Sequence, residues 1–146
     1  MPERIERQHL PYTPTQLFDL VADVARYPDF VPWIVAAQVH RRTEQKIWVD
    51  MVAGRGPLRR RFSTVAALDR PHRISVSSHD PVFDRFEQRW TFVAAPGGGT
   101  DLEYRVDLRF RSPVLRLMLE PSFAGRAAVM ISAFIRRAHA LYGRPA

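Results

Sequence analysis

Tyr27-Pro28-Asp29-Phe30-Val31-Pro32-Trp33 places three aromatic rings and two prolines within seven residues, directly after an amphipathic segment. Each proline fixes its own φ and disfavours the α region for the residue before it. The spacing therefore ends the preceding helix near Arg26 and displays Tyr27, Phe30 and Trp33 from a stiff corner. Rings of this size need apolar cover. They fit either a plug that closes one end of a core or the rim of an apolar ligand cavity, and the rest of the chain favours the rim.

Upstream of the corner, Ile5 to Leu10 reads as a short strand, and Thr13-Pro14 supplies an N-cap with proline in the first helical position. Leu17, Phe18, Leu20, Val21 and Val24 then follow at helical spacing. Downstream, apolar residues alternate in a run of strand-length segments. They are Val35/Ala37/Val39, Ile47/Val49/Met51/Ala53, Phe62/Thr64/Ala66/Leu68, Ile74/Val76, Phe86/Gln88/Trp90/Phe92 and Leu102/Tyr104/Val106/Leu108/Phe110. Turn residues separate them at Gly54-Arg55-Gly56-Pro57, Arg70-Pro71 and Pro96-Gly97-Gly98-Gly99. Strict alternation predicts an antiparallel sheet with one wet face, and Arg105, Asp107 and Arg109 fall on it.

The longest helical pattern runs from Ser122 to about Tyr142, with Phe123, Ala127, Met130, Phe134 and Leu141 on one stripe. Ala124, Ala128, Ile131 and Ile135 widen that stripe until a curved sheet, rather than one helix, is its natural cover. The order strand, helix, about six strands, long helix predicts an α+β fold in which a curved antiparallel sheet of six to seven strands wraps the C-terminal helix. Residues 1–146 read as a single domain, with no repeat or linker.

Composition narrows the function classes. The chain is 46% hydrophobic and 11% aromatic, which excludes disorder, and no apolar run reaches the ~18 residues of a membrane span. Glu3, Arg4, Glu6 and Arg7 near the start argue against a secretory signal, so a cytoplasmic address is expected. Absence of cysteine excludes disulfides, thiolate catalysis and Cys-ligated metal. The net charge of +7, carried by arginines with Lys46 the only lysine, implies attraction to phosphates of lipid headgroups or of RNA.

Three separated motifs carry a family resemblance. Tyr27-Pro28 through Pro32-Trp33, then Phe86-Glu87-Gln88-Arg89-Trp90-Thr91-Phe92, then Ala133-Phe134 through Arg137-Ala138 with Tyr142-Gly143, resemble the coenzyme Q-binding START-domain family, which also takes in the RatA ribosome-association toxins. The resemblance implies a helix-grip fold enclosing an apolar tunnel, and binding of ubiquinone or a related isoprenoid lipid in support of bacterial respiration. The chain departs from the family at Asp80-Pro81-Val82-Phe83, where Gly-Pro-Phe is frequent, and at Ile34, where a cysteine commonly follows the corner tryptophan.

On this reading the ligand is buried by Tyr27, Phe30, Trp33, Val49, Met51, Phe62, Trp90, Phe92, Tyr104, Met130 and Phe134. Gln88 shares the apolar face of its strand, so its amide must find a partner in protein, water or a quinone carbonyl. Arg60 is in phase with Phe62 and Thr64, and either turns outward at the sheet edge or meets a polar headgroup at the tunnel mouth. Pro113 and Pro121 bracket a short segment in which Leu115, Leu117 and Met118 are ringed by Arg109, Arg111 and Arg116. That segment fits either docking on an anionic membrane surface, giving a peripheral inner-membrane address, or packing on the domain.

Catalytic signals are thin. His9, His40, His72, His79 and His139 are scattered without metal-ligand spacing, and the glycine run lacks a phosphate-loop lysine. The expectation is a binding protein with no catalytic cofactor, no metal and no DNA partner. A RatA-type toxin of the toxin–antitoxin class, acting on ribosomal subunits, is the first alternative, and a polyketide cyclase-like enzyme the second.

Overall fold

Residues 3–55 and 57–143 are described by the computed structural model, excluding the side chains of Glu3, Arg55, Leu58 and residues 118–126. Seven alternating segments pair into one wholly antiparallel sheet. The strands are β1 Glu3–Leu10, β2 Ile34–Arg42, β3 Lys46–Arg55, β4 Leu58–Asp69, β5 Arg73–Ser77, β6 Phe83–Ala94 and β7 Thr100–Phe110. Their spatial order is β1-β7-β6-β5-β4-β3-β2, a meander from β2 to β7 with the first strand added beside the last. The two helices are α1, Pro14–Ala22, and α2, Pro113–Tyr142. This is the expected helix-grip arrangement, with α2 facing the sheet's apolar side.

The α1 cap forms as the sequence predicts: the Thr13 hydroxyl accepts from the Gln16 amide while the Gln16 side chain accepts from the Thr13 amide. The helix stops four residues earlier than expected, at Ala22, and Val24–Asp29 forms a 3₁₀ helix that contains Pro28. A 3₁₀ turn accommodates the proline because only short i to i+3 bonds are at stake. The Tyr27 hydroxyl donates to the Val21 carbonyl and ties the corner back onto α1.

Two expectations about strands and helices are corrected. Val35 is exposed, because a register shift between Ile34 and Ala36 breaks the alternation and leaves Ile34 as the inward residue. The segment between Pro113 and Pro121 is not separate: α2 is continuous through Pro121. An internal proline removes one backbone donor, which packing can outweigh. Within α2, Ala127, Met130, Ile131, Phe134 and Ala138 are buried, while Ala128 and Leu141 are exposed. The side chains of Phe123 and Ala124 lie outside the described residues.

One glycine is fixed by geometry. Gly99 has φ +75°, and a Cβ there would sit 2.3 Å from the Leu10 carbonyl oxygen. The β6–β7 hairpin can therefore tuck beneath the end of β1, where the buried Thr100 hydroxyl donates to the Tyr12 carbonyl at 2.7 Å.

Candidate functional site: an apolar cavity between sheet and helix

Between the sheet and α2 lies a cavity of about 720 Å³. That is within the ~300–1,000 Å³ of small-molecule sites. Its sheet wall carries Ile47, Val49, Met51, Ala53, Phe62, Thr64, Ala66, Val76 and Val106, and its helix wall Ala127 and Met130. Many of these are short side chains, so the curved sheet and the helix leave space that the residues cannot fill. The inner end is closed by Val21, Ala22, Val24, Tyr27 and Leu68.

Of the residues singled out in the sequence, Tyr27, Trp33, Val49, Met51, Arg60, Phe62, Gln88, Tyr104 and Met130 line this cavity. Phe30, Trp90, Phe92 and Phe134 do not line it, because they are spent on one another and on their neighbours. The Phe134 ring meets Tyr27, Phe30 and Trp90 edge-on at centroid distances of 5.3, 5.0 and 4.8 Å, and Phe92 meets Phe18 at 5.8 Å. They buttress the cavity from its packed side.

Two polar groups face the apolar space. Gln88 lines the cavity half-buried, and its side chain makes no hydrogen bond among the described residues. The same holds for the hydroxyl of the buried Tyr104. Gln88 pairs with Val106 and Trp90 with Tyr104, so Gln88 and Tyr104 are diagonal neighbours on one face of β6 and β7. Burial pushes the Tyr104 hydroxyl far above its ordinary pKa and keeps it a neutral donor. Thr64, by contrast, donates to the Val49 carbonyl at 3.4 Å.

The cavity's exposed lining residues are Arg4, Arg60 and Leu117, with Pro113 beside them, and they mark its mouth. Arg60 is thus both exposed and in phase with the cavity, which unites the two readings of it. Arg4 was missed in the sequence: its side follows only from the β1–β7 register, which pairs it with the cavity-lining Val106.

The arginine-ringed segment splits into parts with different roles. Leu115 is buried in the core, contrary to its expected place in a membrane contact, because the Ser112 cap turns the first turn of α2 onto the sheet. Arg116 is committed within the fold: Nε donates to the Phe110 carbonyl at 2.6 Å and a terminal nitrogen reaches Asp84 at 2.8 Å. Asp84 also holds Arg111 at 3.3 Å and Arg109 at 3.9 Å. Leu117 is 79% exposed and Val114, which sequence reasoning passed over, 62%. The side chain of Met118 lies outside the described residues.

On the outer face, Arg61 of the Arg59-Arg60-Arg61 run pairs with Asp50 at 2.7 Å, joined there by His40 at 2.6 Å and the Ser63 hydroxyl at 2.9 Å. These bonds hold the Asp50 carboxyl well below the usual range, Arg61 first among them. Among the described residues, no three His, Asp or Glu are placed to share a metal ion, and no helix is long and apolar enough to cross a membrane.

Comparison with known proteins places this geometry. Residues 10–135 match the family described as polyketide cyclase/dehydrase and lipid transport. The ribosome association toxin RatA of Pseudomonas aeruginosa is 33% identical over 134 residues, covering 92% of this chain and 93% of the toxin. The mitochondrial coenzyme Q-binding protein COQ10 of Dictyostelium discoideum is 24% identical, covering 93% and 68%. The solution structure of an 18 kDa Caulobacter crescentus protein, CC1736, is 35% identical with a TM-score of 0.73, covering 99% of this chain and all of that one. A START-superfamily protein of Mycobacterium smegmatis, at 16% identity, shares the fold with a TM-score of 0.79, covering 95% and 98%.

Proposed function

This chain belongs to the polyketide cyclase/dehydrase and lipid transport family, and from that premise we propose that it binds an isoprenoid lipid, ubiquinone or a relative of it, and presents it at a membrane. The observation that carries this reading is the cavity of about 720 Å³ between β-sheet and α2, whose lining is mainly apolar, with hydrogen-bonding groups inside it at Gln88 and Tyr104 that have no partner among the described residues. An isoprenoid tail fits such walls because each CH₂ removed from water contributes ~0.8 kcal/mol without any directional contact. The Gln88 amide and the Tyr104 hydroxyl supply donors that a quinone carbonyl can accept. Val114 and Leu117, exposed beside the mouth, provide an apolar contact through which a lipid can pass from a bilayer without crossing water. The similarity to a coenzyme Q-binding protein supports the choice of quinone. Organic extraction of protein purified from a quinone-making host, followed by mass spectrometry, tests it. An isoprenoid quinone in the extract is the expected result, and extracts without isoprenoid lipid would overturn the assignment.

A second reading is favoured by the 33% identity to a ribosome association toxin and by the net charge of +7. In that reading the chain acts on ribosomal subunits through its basic surface. The two readings part in one assay. Ribosome-subunit profiles of cells making the Arg59→Glu/Arg61→Glu variant should match those of cells making the parent chain if the lipid reading holds. A change in subunit joining seen with the parent chain and lost in the variant would put the ribosome first.

A further inference from the structure

The charged residues that line the cavity are Arg4, Arg60 and Arg116, and among the described residues no aspartate or glutamate lines it. The three lie toward one end. Arg4 stands near the start of β1 and Arg60 near the start of β4, both at the end of the sheet where β7 passes into α2, and Arg116 is in the first turns of α2. The opposite end is closed by Val21, Ala22, Val24, Leu68 and the Tyr27 ring, none of them charged. Of the three, Arg116 is ion-paired with Asp84, a carboxylate it shares with Arg109 and Arg111. Arg60 makes only a 3.5 Å contact to the neighbouring Arg59 carbonyl, and Arg4 makes no ion pair among the described residues.

We infer that the cavity also takes a second class of ligand, an amphiphile whose head is an anion, a carboxylate or a phosphate, held at the mouth by Arg60 and Arg4 with the chain running inward. The inference rests on the reading of the cavity as a lipid site and goes beyond the quinone, whose head is neutral and whose carbonyl meets Gln88 and Tyr104 rather than the arginines. A ligand filling the mouth removes water from the guanidinium groups there. A neutral head returns at most one weak acceptor to each, whereas a carboxylate or phosphate returns paired, charge-assisted hydrogen bonds. The uncharged inner end gives the chain its direction.

Displacement of an apolar fluorescent probe by hexadecanol, palmitate and hexadecyl phosphate, at a pH where both anionic heads are ionised, tests this. The anionic chains should bind about tenfold tighter than the alcohol, as one net charge-assisted contact predicts. High salt should narrow the gap. The Arg4→Gln/Arg60→Gln variant should erase the preference, bringing the anionic chains down to the affinity of hexadecanol. Both positions are exposed, so folding is not at risk. Equal affinity for the three chains, or a preference that survives the double substitution, overturns the inference and leaves the lipid-binding reading standing. Failure of every chain to displace the probe overturns both. Inorganic phosphate should compete with hexadecyl phosphate no better than chloride at equal ionic strength. If it competes better, the arginines form a site for free anions and the amphiphile assignment is overturned.

Discussion

The space between sheet and helix has two regions that the alternation pattern cannot tell apart. In one, Trp90, Phe92, Phe18, Phe30, Tyr27 and Phe134 interlock edge to face, and the fully buried Trp90 also lies against Tyr104 at 4.3 Å. In the other, Val49, Ala53, Ala66, Val76 and Val106 face Ala127 and Met130 across open space. Both draw on the same helix α2, but the rings come from β6, α1 and the 3₁₀ corner, and the aliphatic residues from β3, β4, β5 and β7. The difference is side-chain reach: rings bridge the gap, and aliphatic residues do not. Burial of a position and filling of the space in front of it are therefore separate properties.

The largest expected effect comes from breaking the filled region. Phe134→Ala deletes the ring shared by Tyr27, Phe30 and Trp90 and should lower stability by about 3–5 kcal/mol in urea melts. A loss below ~1 kcal/mol would mean that the interlock is loose and the two regions are alike.

Alkaline titration sharpens the contrast, since each region holds a buried phenol. Burial raises the folded-state pKa of both Tyr27 and Tyr104 above the ordinary value near 10. Their contribution is therefore fully present below pH ~10 and is lost as pH rises through the raised folded values. Thermal melts should decline above that pH, and Tyr27→Phe should flatten the decline. An unchanged slope in the variant would assign the loss to other groups.

Met130→Trp tests the hollow region. An added indole destabilises a filled core by ~1–3 kcal/mol, but here it should shift stability by less than about 1 kcal/mol and expel lipid. A stability loss of the filled-core size would mean that the cavity is not there to receive the ring.

The smallest change separates neighbours on α2. Leu117→Asp should leave the melt within about 0.5 kcal/mol and reduce flotation with anionic liposomes. Leu115→Asp should destabilise by several kcal/mol, because the charge is buried. Unchanged flotation of the Leu117 variant would remove the mouth from the membrane.

The strand faces were legible because alternation with period two depends on local sequence alone. Seven strands follow from it, and the capped first helix and the long last one follow from the helical spacing that is equally local. What stayed hidden depended on register or on three-dimensional reach. The shift at Ile34 turned Val35 outward, and the pairing of Arg4 with Val106 spans most of the chain. The Ser112 cap, whose hydroxyl accepts from Leu115, sends that leucine inward and leaves Leu117 on the rim. No helical periodicity separates those two roles without the sheet in place. The corner aromatics were correctly read as needing cover, yet only Tyr27 and Trp33 reach the cavity, while Phe30 is taken up by Phe134.

The placement of β1 beside β7 has a consequence for how the chain assembles. Glu3 pairs with Asp107, whereas the strands from β2 to β7 each pair with the next in sequence. The meander can grow hairpin by hairpin as the polypeptide lengthens, since each closure spans a short loop. The first strand must wait until nearly the whole chain exists, and pairings of such high sequence separation are the slow ones. The enclosed volume is therefore completed late, when β1 docks against β7 and α2 swings across the sheet. The mouth lies where those two late events meet.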